Sequence, residues 1–253
     1  MLIILNVIML SNNLKSYINS LKQKKFRQKY QKFIIEGDKM VYELMNEAPD
    51  LIQYIVYKEN IDINNFSKRI EKSKLLPCKP ADFDQISSLQ SPQNLLAVCS
   101  IPENDEIVYF NWAFYLDGIQ DPGNLGTILR ICDWFGLNTL LISSDTVDPY
   151  NPKVVQASMG SIWRINIKVV NLENVISQYE NHPIFGADMN GSDIKSLDLP
   201  EKGIMVLGNE GNGIRAETKF LIKNYIKIPK HKQSLSESLN VAISAGIIAS
   251  NLS

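Results

Sequence analysis

Short apolar runs alternate with amphipathic segments along most of the chain, and this pattern predicts an α/β protein. Over the first hundred residues it predicts a small three-layer α/β domain, residues 1–99, followed by a polar linker, residues 100–106. The predicted strands of this domain are 32–35, 52–57, 74–78 and 94–99. Its predicted helices are 38–47, with Asp38 as the N-cap, 62–72 and 80–88.

The same pattern over residues 107–253 predicts a second, larger α/β domain. Asp121, Pro122 and Gly123 force a turn after its first strand, and a helix with apolar residues every three or four positions then runs to Gly136, which suits a C-terminal cap. Because helices separate the apolar strands, we expect a mostly parallel sheet. The predicted strands are 112–116, 139–143, 164–170, 184–187, 204–207 and 225–228.

The composition is that of a globular protein, with 45% hydrophobic and 21% charged residues, and the formal net charge is only −1. A nucleic-acid surface therefore has to come from local clustering of charge. Residues 15–39 provide such a cluster, with eight basic side chains against two acidic ones and a local net charge of +6. The predicted RNA contacts within it are Lys24, Lys25, Arg27, Lys29 and Lys32.

Three aromatic residues, Phe26, Tyr30 and Phe33, are interleaved with these charges, and two interpretations are open. The rings stack on unpaired bases, or they pack into the domain behind a solvated helix face. The segment taken alone favours packing, whereas a nucleic-acid function elsewhere in the chain favours stacking.

Cysteine usage and the N-terminus indicate a reducing compartment. Cys78, Cys99 and Cys132 are widely spaced, contain no CxxC pair that would suggest a metal site, and leave one thiol over from any single disulfide. The apolar opening, Met1 to Leu10, lacks the basic start and cleavage site of a signal peptide and is shorter than the roughly 20 residues that span a bilayer. We therefore expect a cytoplasmic protein, with Met9 as an alternative first residue.

Three separated clusters carry the candidate chemistry, and the first is the stretch from Asn124 to Arg130, Asn-Leu-Gly-Thr-Ile-Leu-Arg. It opens the helix that follows the Asp-Pro-Gly turn. A phosphate or a developing oxyanion can sit between Asn124 and Arg130 at such a helix start. The alternative is an arginine paired with a surface carboxylate.

The second cluster, Leu207 to Gly213, follows a predicted buried strand and has three glycines in six positions. Glycines permit a sharp turn and let a ligand approach the backbone closely. Because Glu210 would repel a phosphate, a loop that binds an adenosine moiety through backbone groups fits better than a phosphate loop.

The third cluster, Ser238 and Asn240, is predicted to lie in the first turns of a final helix made largely of small residues. Ser234 and Glu237 are spaced as a capping box, so they have a sufficient structural explanation.

The three clusters, in this order and with the chain ending after the final helix, resemble the three motifs of the SpoU (TrmH-like) RNA ribose 2′-O-methyltransferases of the SPOUT class. The stretch KKFRQKYQKFIIEGDKMVYE, Lys24 to Glu43, resembles the substrate-binding domain often fused in front of them. The resemblance implies a C-terminal trefoil knot, S-adenosyl-L-methionine as the cofactor and a homodimer.

By this resemblance, Asn124 and Arg130 correspond to the first-motif pair at the substrate end, Glu210 to the second-motif acid, and Ser238 and Asn240 to the third-motif polar pair. These five are the predicted catalytic residues. The residues expected to form the cofactor pocket are Leu207, Gly208, Asn209, Gly211, Ile228 and Leu239. Arg130 is expected to stabilise an oxyanion and clamp a phosphate, since a guanidinium titrates above about 12; a role as the base is the alternative.

One segment departs from the family pattern. Between Pro229 and Ser238 the family has a short loop containing glycine, whereas this chain has Lys-His-Lys-Gln-Ser-Leu-Ser-Glu, which is longer and has no glycine. The departure bears on the geometry of cofactor binding. His231 in this loop is expected to be exposed to solvent, and His182 precedes a proline in a predicted loop.

The expected activity is methylation of a ribose 2′-hydroxyl in structured RNA. The fused basic domain favours ribosomal RNA, with transfer RNA as the alternative. A non-catalytic RNA-binding protein of the same fold is the rival, and the intact polar residues of all three motifs argue against it. The order of the elements excludes a nucleotide-dependent oxidoreductase. In such a fold the glycine-rich turn follows an early strand, whereas the glycine loop of this chain lies near the end of its domain.

Overall fold

A computed structural model of the protein describes residues 10–62, 69–103 and 107–252. The chain divides into two compact units. The first comprises the described part of Met1–Glu103 together with Tyr150–Gln156, and the second comprises that of Asn104–Pro149 with Ala157–Ser253. Each unit is built around one β-sheet, so the predicted α/β class is confirmed.

The first unit contains a mixed four-stranded sheet in the order β1-β4-β2-β3. Strand β4 is antiparallel to both of its neighbours, and β2 and β3 are parallel. The strands are β1 (Lys32–Glu36), β2 (Ile52–Lys58), β3 (Leu75–Cys78) and β4 (Leu95–Ser100). The helices are α1 (Asn12–Ser20), α2 (Lys24–Tyr30), α3 (Asp38–Glu47) and α4 (Pro80–Ile86).

Helices α1 and α4 cover one face of this sheet, and α3 packs against β1 and β4. Ile18 of α1 and Phe83 of α4 belong to the same buried cluster as Ile34, Val56 and Val98 from three of the strands. Because side chains alternate along a strand, the residues between these point to the opposite face. The result is the predicted arrangement of a sheet between helices.

The turn from β1 into α3 is fixed by two carboxylates. Buried Glu36 accepts hydrogen bonds from Ser87 Oγ at 2.6 Å and from the Ser88 N–H at 2.8 Å. Asp38 accepts from the N–H and the side-chain Nδ2 of Asn94, at 2.9 and 2.7 Å. The predicted N-cap at Asp38 is therefore wrong: Gly37, with φ of 112°, occupies the cap position, and the Asp38 carboxylate is used by Asn94.

The predicted strands of this unit are present, but its helices differ in three places. Helices α1 and α2 were not predicted as elements; they are short, with nine and seven residues, and mostly polar. Most of the predicted helix 62–72 lies outside the described residues, and its end is wrong because Lys72–Lys74 form a 3₁₀ turn. Helix α4 ends at Ile86, two residues early, because Ser87 is extended.

The second unit contains a six-stranded sheet in the order β10-β8-β9-β5-β6-β7, in which every neighbouring pair is parallel. The predicted parallel sheet is confirmed. The strands are β5 (Trp112–Asp117), β6 (Thr139–Ile142), β7 (Asn166–Val169), β8 (Ile184–Asp193), β9 (Gly203–Gly208) and β10 (Asn224–Lys227). Among the described residues the remaining α-helices are α5 (Pro122–Phe135), α6 (Pro152–Ser158), α7 (Leu172–Gln178), α8 (Ala216–Lys219) and α9 (Val241–Ala249), of which α6 begins in the Tyr150–Gln156 segment of the first unit.

The last helix returns from the edge of this sheet to its middle. The chain leaves β10 at one edge, and α9 then packs against α5 and β9. Gly246 of α9 faces Ile131 of α5, where an added Cβ atom would make only an ordinary contact of 3.6 Å with Ile131 Cδ1. Residues 228–240 must therefore pass the carboxyl ends of β8 and β9.

The start of α9 differs from the prediction. Asn240 is the N-cap and the helix begins at Val241, so Ser238 precedes the helix. The predicted capping box is wrong, because Ser234 and Glu237 lie in the segment before α9, where the Ser234 N–H donates to the His231 carbonyl in a local turn. Within the described ranges, no helix is both long enough and apolar enough to cross a membrane.

Candidate functional site

The three predicted clusters meet at the carboxyl ends of two adjacent parallel strands. Asp117, the last residue of β5, is in register with Gly208, the last residue of β9. Helix α5 begins a few residues after β5, and the glycine loop 208–213 follows β9 directly. The carboxyl ends of neighbouring parallel strands are where α/β proteins form ligand sites.

A chain of hydrogen bonds joins one residue from each cluster. Asn124 Nδ2 donates to Glu210 Oε1 at 2.9 Å, and Asn240 Nδ2 donates to Asn124 Oδ1 at 2.9 Å. The Asn240 Oδ1 atom accepts from the N–H groups of Ala242 and Ile243, at 2.9 and 3.2 Å, and so caps α9. The start of α5, the glycine loop and the start of α9 are thus held together by side chains that the sequence predicted to be catalytic.

The glycine loop is also fastened to the turn after β5 by Asn209. Its Nδ2 donates to the Gly118 carbonyl at 2.8 Å, and its Oδ1 accepts from the N–H groups of Gly211 and Asn212, at 3.0 and 3.1 Å. Asn209 was predicted to bind cofactor, and this stays a prediction. In the structure its side chain shapes the loop.

The loop closes on itself at a position that only glycine can fill. Asn209 and Gly213 exchange two backbone hydrogen bonds of 3.0 and 2.9 Å, and Gly213 has φ of 67°. A Cβ atom on Gly208 would lie 2.2 Å from the Gly213 carbonyl carbon and 2.3 Å from the Ile214 nitrogen, well inside contact distance. The tight turn predicted from the three glycines is confirmed.

Replacement of Gly208 by alanine is therefore expected to destabilise the protein by about 3 kcal/mol or more, because backbone atoms must move to admit the methyl group. The matched control is Gly211→Ala, where the added carbon would meet only Asn209 Oδ1 at 3.7 Å, and its cost is expected to stay below about 1 kcal/mol. Thermal unfolding of both variants measures the difference, and equal melting temperatures would contradict the clash.

Arg130 does not join the hydrogen-bonded chain. It lies six residues after Asn124 on α5, which places it about 9 Å further along the axis and roughly 120° around it. The side chain is exposed and has no hydrogen bond or ion pair with any residue of the described ranges. The alternative of a surface ion pair therefore has no carboxylate to support it there, and Arg130 is available to a ligand.

The remaining predicted site residues differ in accessibility. Leu207 is only 1% exposed, so its side chain belongs to the core and contact with a ligand is left to its backbone. Ser238 and Leu239 are exposed in the segment before α9, and Ile228, just after β10, is half-buried. Leu207 was expected to line the adenosine pocket, and this stays a prediction, since every residue of β9 from Gly203 to Leu207 is buried whichever face of the sheet it points to.

Family comparison assigns most of the chain. A model of the SpoU rRNA Methylase family matches residues 111–250, which is more than half of the chain. The chain belongs to the SpoU rRNA Methylase family. A second model, the MRM3-like substrate binding domain, matches residues 12–97.

Several relatives cover nearly the whole length. The 23S rRNA (guanosine(2553)-2′-O)-methyltransferase RlmP of Bacillus subtilis is 29% identical over 235 residues, which is 92% of each chain. A solved structure from the TrmH family of RNA methyltransferases, from Porphyromonas gingivalis, is 34% identical, covers 96% of this chain and 98% of its own, and has a TM-score of 0.85. An AdoMet-bound rRNA methyltransferase from Sinorhizobium meliloti is 25% identical, covers 96% and 95%, and has a TM-score of 0.83.

The second unit also contains an ion pair, between buried Asp117 and half-buried Arg215, that sequence reasoning missed. Asp117 is 0% exposed, and its carboxylate accepts from the Arg215 N–H at 2.9 Å, from Nε at 2.8 Å and from a second guanidinium nitrogen. Arg215 also pairs with Asp145 at 3.3 Å. The hydrogen bond that the Arg215 guanidinium donates to Asp117 is the main cause of its raised pKa. The sign of this pair in the sequence was Asp117, a carboxylate at the end of an apolar strand.

The two histidines lie outside the three SpoU motifs. His231 is exposed, as predicted. His182 is buried beside Phe110 and Tyr179, with ring centroids 5.0 and 5.2 Å away, and its Nε2 lies 3.0 Å from the Phe110 carbonyl oxygen. Its polar neighbours in sequence gave no sign of this burial, and its aromatic surroundings indicate a structural role.

The predicted RNA-binding residues of the first unit divide into two groups. Lys24, Lys25 and Lys29 are exposed, whereas Lys32 is half-buried and donates to Ser100 Oγ at 2.8 Å. Arg27 is only 2% exposed and its guanidinium donates to the Leu21 carbonyl at 2.8 Å, so its prediction as an RNA contact is wrong. The burial of Arg27 within the unit orients α2.

Proposed function

We propose that this protein transfers a methyl group from S-adenosyl-L-methionine to a ribose 2′-hydroxyl of ribosomal RNA. The observation that carries the proposal is the hydrogen-bonded chain from Asn240 through Asn124 to Glu210, which unites the three motifs at the ends of β5 and β9. RlmP of Bacillus subtilis, a 23S rRNA 2′-O-methyltransferase that aligns over 92% of both chains, supports the same reaction and substrate class.

The residues at this end of the sheet fit the cofactor. S-adenosyl-L-methionine is a nucleoside with a cationic sulfonium, and when bound it supplies the methyl group. Loop 207–214 presents exposed glycine backbone at Gly211 and Gly213, carries one carboxylate, Glu210, and has no basic side chain to repel the cation. Half-buried Ile228 and half-exposed Leu239 offer apolar surface for the nucleoside.

Three of the polar residues position the reactants, and Arg130 acts on the RNA. Attack by the 2′-hydroxyl requires its alignment with the methyl group and the loss of its proton, and positioning supplies much of the rate in such reactions. Asn124, Glu210 and Asn240 hold the starts of α5 and α9 in fixed relation, so they set this alignment. Arg130 has no competing ion pair in the described chain, and we assign it to the phosphate or developing oxyanion of the substrate.

Two measurements test the reaction. Calorimetry with S-adenosylhomocysteine on the purified protein is expected to show saturable binding. Mapping of 2′-O-methylated nucleotides in RNA, with and without the gene, is expected to show one ribosomal site that disappears. If the methylated nucleotide that disappears lies in transfer RNA, the substrate is transfer RNA instead of ribosomal RNA. If no cofactor binds and no methylated nucleotide disappears, a non-catalytic RNA-binding protein is favoured.

The two regions are assigned separate tasks. We assign residues 1–99 to RNA binding, 100–106 to a linker and 107–253 to catalysis, in line with the MRM3-like match over residues 12–97 and the SpoU match over 111–250. The crossing of residues 228–240 to α9 is assigned to the trefoil knot of the family. Three buried free thiols support a reducing, cytoplasmic location.

A homodimer is proposed from apolar residues left exposed on and beside the α5–α9 layer. Trp134 on α5 is 83% exposed, Ile243 on α9 is 56% exposed, and Leu239 just before α9 is 50% exposed. Apolar side chains left exposed on one layer of helices are typical of an interface between copies. The interface would lie next to Asn240, so each partner would border the other's site.

Replacement of Ile243 by aspartate is expected to convert the dimer to a monomer, because a carboxylate would be buried without a partner in the interface. Size-exclusion chromatography with light scattering gives the mass. The control is Val169→Asp, since Val169 is 62% exposed on β7 at the far edge of the sheet and its replacement is expected to leave the mass unchanged. A wild-type monomer, or an Ile243→Asp dimer, would contradict this interface.

A further inference from the structure

Two aromatic rings lie at the surface of α2 in the first unit, one helical turn apart. The rings of Phe26 and Tyr30 have centroids 6.2 Å apart and planes within 10° of parallel. Tyr30 is 37% exposed and Phe26 is half-buried. The third ring of this segment, Phe33, is only 1% exposed and packs inward, so the chain separates one core ring from two surface rings.

The surface rings are held in place from below. The edge of Tyr30 contacts Tyr17, with centroids 5.0 Å apart and planes at 66°, and Tyr17 packs against the buried cluster under α1. Buried Arg27 fixes α2 through its bond to the Leu21 carbonyl. A ring platform that is already ordered loses little conformational entropy when a ligand stacks on it.

Each ring also has a cation over its face. Lys25 Nζ lies 4.8 Å from the centroid of Phe26, and Lys29 Nζ lies 5.3 Å from that of Tyr30. Lys24 is exposed on the same helix, and α2 contains no acidic residue. A nucleotide joins a π-face to a phosphate, so its base can take the place of an ammonium group on a ring while the flexible lysine turns to the phosphate.

We propose that the α2 platform, defined as Lys25, Phe26, Lys29 and Tyr30, binds an unpaired nucleotide of the RNA substrate, with its base stacked on the rings and its flanking phosphates on the lysines. The proposal rests on the RNA-directed function above and specifies the form of RNA that is recognised. Bases within an A-form duplex are stacked on each other and cannot reach the rings, so a duplex contacts only the lysines of the platform.

Fluorescence anisotropy with the full chain tests the platform, using a labelled oligouridylate as the unpaired probe and a self-complementary RNA duplex as the paired one. The wild type is expected to bind the single strand more tightly. The double replacement Phe26→Leu and Tyr30→Leu is expected to weaken single-strand binding about tenfold with an unchanged salt slope. Lys25→Gln with Lys29→Gln is expected to lower that slope by about 1.4, since each single-strand phosphate contact contributes about 0.7.

Two further variants test whether the affinity lost by the leucine double variant comes from lost stacking and not from altered folding. Tyr42→Leu removes a ring that is 41% exposed on α3, outside the platform, and is expected to bind like the wild type. Phe26→Tyr keeps the π-face and is expected to keep the affinity. A leucine double variant that binds the single strand like the wild type, or that loses single-strand and duplex binding equally, would overturn the platform.

The same preparations distinguish this proposal from the methyl-transfer proposal. If S-adenosylhomocysteine binds and the ring variants have no effect, the platform alone is overturned. If the ring variants lose affinity for the single strand while neither cofactor binding nor methylation is found, the platform stands and methyl transfer fails.

Discussion

Replacement of Arg130 by alanine is expected to lower kcat for RNA methylation by about 10²- to 10³-fold, the usual cost of removing one donor that stabilises developing negative charge. Arg130 is exposed on α5 and pairs with no carboxylate in the described ranges, so its charge is available to the substrate. The dissociation constant of S-adenosylhomocysteine is expected to stay unchanged, because the residue lies outside the glycine loop. Single-turnover methylation and calorimetry on the same protein give the two values.

Arg130→Lys is the informative companion. It keeps the positive charge but loses the planar, two-pronged geometry with which a guanidinium holds a phosphate, so partial activity is expected. A base would behave differently, because a lysine amine loses its proton far more readily than a guanidinium and activity would then rise with pH. An alanine variant with wild-type kcat would remove Arg130 from the catalytic residues.

The parallel sheet and the position of the site were predictable because both depend on local patterns. Buried parallel strands are continuous apolar runs, and the glycines of 208–213 specify a backbone shape with few alternatives. Asp121 to Gly123, predicted as a turn before the helix, is the N-cap and start of α5. Strand ends on a parallel sheet share one edge, which places Asn124 near Glu210. That Asn240 joins them was implied by the resemblance to the SpoU motifs.

The errors arise where the role of a side chain depends on residues that are distant in sequence. Arg27 sits in a basic run and looks like a phosphate ligand, yet its burial is decided by how α2 packs. Asp38 has the chemistry of an N-cap, but Asn94, 56 residues away, takes its carboxylate. Ser234 and Glu237 have the spacing of a capping box, but the crossing segment continues past them and α9 begins only at Val241.

The Asp117–Arg215 pair could not be predicted, since its members are 98 residues apart and neither belongs to a motif. The location of the pair indicates its structural role. Asp117 ends β5 immediately before Gly118, whose carbonyl accepts from Asn209, and Arg215 directly follows the loop that carries Glu210. The pair therefore fastens the two segments that the hydrogen-bonded chain joins at the other side.

Arg215→Met is accordingly expected to destabilise the protein by about 3 kcal/mol, because it leaves the fully buried Asp117 carboxylate without its cationic partner. For a chain of this size that corresponds to a fall in Tm of roughly 6–12 °C. The matched control is Arg164→Met, which breaks the 3.0 Å pair with Asp133, whose members are 31% and 29% exposed, and is expected to cost less than about 1 kcal/mol.

Adding Asp117→Leu to Arg215→Met decides whether the loss comes from the stranded charge. A leucine is branched at the same position as aspartate and has no charge that needs a partner, so the double variant is expected to recover part of the lost stability. Recovery is expected to be incomplete because the N–H of residue 215 loses its Asp117 acceptor. It is not expected to recover S-adenosylhomocysteine affinity in full, because the glycine loop would remain unfastened from β5. Stability and affinity that return together would mean that the pair serves folding alone, whereas stability without affinity would identify it as the support of the cofactor loop.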